Sequence, residues 1–104
     1  MANILTFPEI EQQAAAEERQ WVLDVKNITT TPASPVVNKI VDMTTGTDVK
    51  ATVMPGGSPT VSGTRVTLPV IKLLSIGIIY RVHVTYTDGG LNKFESSFML
   101  KCPF

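Results

Sequence analysis

The chain has 104 residues, one domain's worth of protein, and its nine Lys and Arg balance nine Asp and Glu. Charged residues are 17% of it, which excludes a basic nucleic-acid binder held by charge alone and an acidic solvating tail. A hydrophobic fraction of 43% suffices for one core, no apolar run approaches the roughly 20 residues of a membrane helix, and the single cysteine, Cys102, excludes an internal disulfide and a multi-cysteine zinc site.

Composition changes near residue 20. Residues 1–20 hold Glu9, Glu11, Glu17 and Glu18 against Arg19, a local charge of −3, and the remainder holds eight basic and five acidic side chains, +3. The first segment reads as a short helical or extended arm. Thr6 and Glu9 have capping-box spacing, and Pro8 falls in a first turn where its missing N–H costs nothing. Gln12, Gln13 and Ala14–Ala16 tolerate a helix, but the apolar face of Phe7, Ile10 and Ala14 is thin. Such an arm must lean on the domain or on another subunit. No charged start followed by an apolar stretch marks a secretion signal.

From residue 21 onward Val, Ile and Thr dominate, and Pro, Gly and Asn/Asp clusters interrupt them at short intervals. Trp21, Leu23 and Val25 alternate with polar or smaller residues, giving a first strand. Thr29–Pro35 reads as a loop because two prolines break it. Val36–Met43 reads as a second strand and Thr44–Thr47 as a turn. Asp48–Met54 reads as a third strand, with Val49, Ala51 and Val53 inward. Pro55–Pro59 is the loop richest in breakers. Val61, Val66, Leu68 and Val70 supply further strand material around Pro69. Tyr80, Val82, Val84 and Tyr86 form the strongest alternation, with Arg81, His83 and Thr85 on the other face. Asp88-Gly89-Gly90 is a hairpin turn, and Phe94, Ser96, Phe98, Leu100 and Cys102 share one face of the last strand. About six or seven short strands at this spacing predict an all-β antiparallel sandwich over residues 21–104, preceded by the arm at 1–20.

The stretch from Leu73 to Val84 resembles the penultimate-strand region of immunoglobulin-like sandwiches. Gly77 would permit a tight corner there, and the Tyr80 hydroxyl would tie back to it. The paired cysteines of antibody domains are missing. Residues 36–104 also resemble small immunoglobulin-like virion proteins of tailed bacteriophages. The likeness rests on Gly77, Tyr80, Val82 and Val84, the turn Thr85–Gly90, and Phe94-Glu95-Ser96-Ser97-Phe98. It implies a non-enzymatic capsid decoration or a head–tail or tail–fibre connector. Such a protein would be found in the virion, and in the host cytoplasm during assembly. It would bind capsid or tail proteins and other copies of itself, with no cofactor, no membrane and no specific nucleic acid.

Candidate chemistry is sparse. His83 is the only histidine and has no partner of its kind for a metal site. The acids are dispersed, with no calcium-loop spacing. Cys102 lies on an inward parity without a motif that would activate it. The glycine pairs at 56–57 and 89–90 precede no helix and carry no Lys-Ser or Lys-Thr, so turns explain them. Asn27-Ile28-Thr29 fits a glycosylation sequon with nothing else pointing to a secretory route. A protein interface is expected to draw on Phe7, Ile10, Glu11, Glu17, Glu18, Arg65, Arg81 and His83, with the basic side chains meeting an acidic surface or a neighbour's acidic arm. A second reading is a carbohydrate- or receptor-binding module using the loops Thr29–Pro35 and Pro55–Pro59.

Overall fold

The computed structural model describes residues 3–5, 10–90 and 92–104, and for residues 3–5 and 10 the backbone alone. Nine short strands and one helical turn follow each other among the described residues: β1 (Asn3–Leu5), β2 (Ile10–Gln12), β3 (Trp21–Asp24), β4 (Ala33–Asp42), β5 (Thr47–Asp48), α1 (Lys50–Val53), β6 (Thr60–Ser62), β7 (Arg65–Thr67), β8 (Ile79–Thr87) and β9 (Lys93–Lys101). They form a four-stranded sheet in the order β1-β3-β7-β6 and a five-stranded sheet in the order β2-β9-β8-β4-β5. This is an all-β sandwich. Its strands are more numerous than the six or seven predicted, because the N-terminal segment adds two.

Those two strands also break the antiparallel rule. β1 runs parallel to β3, and β2 runs parallel to β9. The expected helix therefore does not form from Ile10 onward; Thr6, Phe7, Pro8 and Glu9 lie outside the described residues. The reason is competition for partners. The helix had little apolar face to bury, whereas the β9 edge supplies a row of backbone groups for residues 10–12. Gln13 is fully buried, and every polar atom of its side chain is used. Its Nε2 donates to the Ile71 carbonyl at 2.6 Å and the Glu17 carbonyl at 3.1 Å, and its Oε1 accepts from Trp21 Nε1 at 2.9 Å. Its backbone N–H donates to Lys101 O at 3.0 Å. Residues 10–19 thus close one side of the sandwich, and among the described residues the domain does not begin at 21.

The predicted strand over Asp48–Met54 is corrected to β5 followed by α1. Val53 is buried and Val49 half-buried, while Ala51 is exposed. Positions four apart share a face in a helix as well as in a strand, so the valine pair fitted both periods. Asp48 fixes the change of direction by accepting the N–H groups of Ile40 and Lys50. Two smaller differences follow the same logic. β4 begins at Ala33, within the expected loop, and register shifts beside Pro35 and Asn38 absorb the proline. Val70 is turned outward, and Ile71 fills the core in its place.

The β8–β9 hairpin is as the alternation predicts. Nine cross-strand pairs run without a shift from Ile79↔Lys101 to Thr87↔Lys93. Tyr80, Val82, Val84, Tyr86, Phe98, Leu100 and Cys102 all point into the core, where Phe98 meets Trp21 of the opposite sheet at 6.2 Å between ring centroids. Burying a side chain of this size is worth roughly 1.5–3 kcal/mol. The inward parity of Ser96 is explained by Tyr86, whose hydroxyl lies 2.7 Å from the Ser96 hydroxyl in the buried interior. Burial raises the Tyr86 pKa.

Candidate interaction surface

The corner before β8 has the expected construction. Gly77 takes φ +84°, a conformation that a side chain would strain, and the Tyr80 hydroxyl accepts the Ser75 N–H at 2.7 Å. The corner fixes where β8 starts and therefore which residues it turns outward. Arg81, His83 and Thr85 stand on the outer face of the five-stranded sheet, beside Glu95, Ser97, Met99 and Lys101 of β9. On the other side Val41 lies opposite Arg81, and Lys39 lies opposite His83.

Much of this face is half-buried. Val41, Ile79, Arg81, His83, Ser97 and Met99 are all intermediate in exposure. His83 Nδ1 lies 3.3 Å from Glu95 Oε1, with 16% of the histidine side chain exposed. Thr85 donates to Asn38 Oδ1 at 2.9 Å. Arg81 places Nη2 at 3.8 Å from the Met99 sulfur, and its Nε is buried with no acceptor among the described residues.

The residues expected to form one interface are dispersed. Arg81 and His83 are neighbours, but Arg65 is on the other sheet, 3.8 Å from Asp24. Burial acts to raise the Asp24 carboxyl. Hydrogen bonds from Lys26 N–H and Thr64 Oγ1, with the charges of Lys26 and Arg65, outweigh it and hold the pKa below its ordinary value. Glu11 is half-buried in β2 opposite Leu100. Glu17 accepts the Ala14 N–H at 2.7 Å and lies 3.8 Å from Arg19, whose guanidinium sits 4.9 Å above the Trp21 ring. Glu18 is exposed. Ile10 belongs to β2, and Phe7 lies outside the described residues.

Two further features were less legible. A groove of about 570 Å³ opens between the first half of β4, α1 and the 55–59 loop. It brings Pro35 together with Pro55 and Pro59 and includes the half-exposed Val36, yet none of its lining residues is aromatic. At one end of the sandwich Leu73, Ile76 and Phe104 are exposed, and the Gly77 N–H donates to Cys102 O, placing the corner beside the chain end. Cys102 is buried, which raises its pKa, and it faces the core while His83 faces outward. Among the described residues no group of three or more His, Cys, Asp or Glu could hold a metal ion. No helix among them is long and apolar enough to cross a membrane.

Compared with known protein families, curated proteins and solved structures, the chain matches none.

Proposed function

We propose that this chain is a non-enzymatic structural module that works by adhering to other proteins. The role implied by its resemblance to immunoglobulin-like phage proteins is a capsid decoration or a head–tail or tail–fibre connector. The observation that supports adhesion is the outer face of the five-stranded sheet. Two nine-residue strands are exposed there, with Val41, Arg81 and Met99 side by side and the charged Lys39, Glu95 and Lys101 around them. Arginine and methionine are enriched in the buried centres of protein interfaces, whereas lysine and glutamate belong at the rim. The phage assignment is carried by the sequence resemblance, and the adhesive role by this face.

Density-gradient fractionation of phage particles from the source tests the assignment. The chain should band with particles in a fixed ratio to the major capsid or tail protein. Its appearance only among unassembled proteins would overturn it. One observation favours the second reading, a carbohydrate- or receptor-binding module: the groove does bring Pro35 next to Pro55–Pro59. Without an aromatic side chain to stack on a sugar ring, that reading stands behind the first. Glycan binding abolished by Asn38→Ala and Ser58→Ala would reverse the order.

A further inference from the structure

We infer that the outer face of the five-stranded sheet docks an acidic surface of another protein, and that Arg81 takes the partner's carboxylate. This rests on reading that face as an adhesive interface and adds what it adheres to.

Every other arginine in the chain has its carboxylate. Arg19 lies 3.8 Å from Glu17, and Arg65 lies 3.8 Å from Asp24. Arg81 has only the Met99 sulfur at 3.8 Å, and its buried Nε–H reaches no acceptor among the described residues. A buried donor without an acceptor is costly and rare in folded proteins. Glu95 does not relieve it, because it stands opposite Thr85 and lies against His83 at 3.3 Å. The fold therefore holds a guanidinium against its sheet with donors unused. Swinging the side chain up to a carboxylate gives up only a weak sulfur contact and gains a two-pronged, charge-assisted pair.

The surroundings select the sign of the partner. The strand parities put Lys39, Arg81, Lys93 and Lys101 on this face against Glu95 and Asp48, a charge of about +2 on a chain whose net charge is zero. Val41 and Met99 flank Arg81 in the register. A partner that covers them removes water around the pair and strengthens it, while the lysines at the margin speed encounter.

A second copy of this chain offers few matching carboxylates. Among the described residues, Glu17, Asp24 and Glu95 are next to a basic side chain, and Asp42, Asp48 and Asp88 accept backbone N–H groups. Glu11 has a partner of its own, and Glu18 remains, exposed. Nucleic acid is also a poorer fit, because the face carries no ring other than His83 on which a base could stack. An acidic surface on a different protein fits both the charge and the unused donors.

The test is a nuclear magnetic resonance titration of the full chain with an eight-residue polyglutamate peptide. Polyglutamine and an oligothymidylate of the same length serve as comparisons. Polyglutamate should shift the Arg81 Nε–H and the amides around Arg81, Ser97 and Met99. Arg81→Gln should weaken binding about tenfold, and Arg81→Lys should recover part of it. Lys26→Gln, an exposed lysine off this face, should change it less than about twofold. Thermal melts should show Arg81→Gln folded, since no oxygen acceptor is lost. Shifts that follow every lysine equally would overturn the inference. So would tighter binding of oligothymidylate, or concentration-dependent shifts of the same residues without peptide, which would make a second copy the occupant. Banding with particles alongside failed peptide binding would remove this inference alone; the reverse result would remove the virion assignment and leave the acidic docking site.

Discussion

The β8–β9 hairpin and the segment at residues 10–19 sit side by side in the five-stranded sheet, joined through β2, but they are held by different kinds of interaction. The hairpin is held by repetition: apolar side chains at every second position, each adding burial to nine uninterrupted cross-strand pairs. The N-terminal segment is held by the short β2–β9 pairing, by backbone hydrogen bonds at Gln13, Ala15 and Arg19, and by one buried amide, Gln13, which reaches both Trp21 and the Ile71 carbonyl. Repetition spreads the energy over many residues, so a single substitution removes a fraction of it. A single polar side chain concentrates the energy, because its loss leaves several buried groups unpaired at once.

The sharpest way to break that contrast is Gln13→Leu, which keeps approximate volume and removes the amide. The Trp21 indole N–H and the Glu17 carbonyl then lose their partner, and the Ile71 carbonyl keeps only the Arg19 N–H. At about 1–3 kcal/mol for each unsatisfied buried group, the expected destabilisation is about 3 kcal/mol. Urea denaturation should show a lower midpoint with an unchanged slope. Hydrogen exchange should quicken at residues 13 and 15 before it does in β8. The matching change at the exposed Gln12, Gln12→Leu, should stay within about 0.5 kcal/mol. Equal effects at the two positions would show that the amide is not what holds the segment.

That pair also marks how far the sequence was legible. Gln12 and Gln13 are the same residue type in adjacent positions, and only the β9 edge decides which one turns inward. The β8 and β9 faces could be read because alternation is local and repeated. The corner could be read because Gly77 and Tyr80 each have a conformational or hydrogen-bonding reason to be there. On the outer face of the five-stranded sheet, Arg81 and His83 share one surface, as the alternation predicts. What escaped was long-range: Arg65 lies on the other sheet because β7 pairs with β3, and Arg81 has no carboxylate among the described residues because Glu95 lies against His83. Residue types do not reveal which acid is used up by which base.

Within the hairpin the contrast can be sharpened at Tyr80, where it also depends on a polar contact. Tyr80→Phe keeps the buried ring and leaves the Ser75 N–H, part-buried, without its acceptor. The expected cost is about 1–1.5 kcal/mol, smaller than at Gln13 because only one group is orphaned. It should appear in thermal melts as a lowered midpoint, with β8–β9 exchange protection kept and the residues around 75–77 exchanging faster. A loss as large as that of Gln13→Leu would mean that the corner, and not the alternation, holds the hairpin.

The smallest effect belongs to Asp24, which joins β3 to the turn before β7 by accepting from Lys26 N–H and Thr64 Oγ1 beside Arg65. Asp24→Asn keeps the shape and removes the charge, at a cost of about 1 kcal/mol near neutral pH. The sign of its pH dependence follows from the carboxyl's lowered pKa. A group more acidic in the folded than in the unfolded chain adds stability above its unfolded value, here near 3.8, and loses it as pH falls through the folded value. The wild-type advantage over Asp24→Asn should therefore be constant from neutral pH down to about pH 5 and shrink below about pH 4. An advantage that grew on acidification would mean that burial, which pushes this carboxyl the other way, outweighs its hydrogen bonds. Asp24 would then be a strained charge and not a tie between strands.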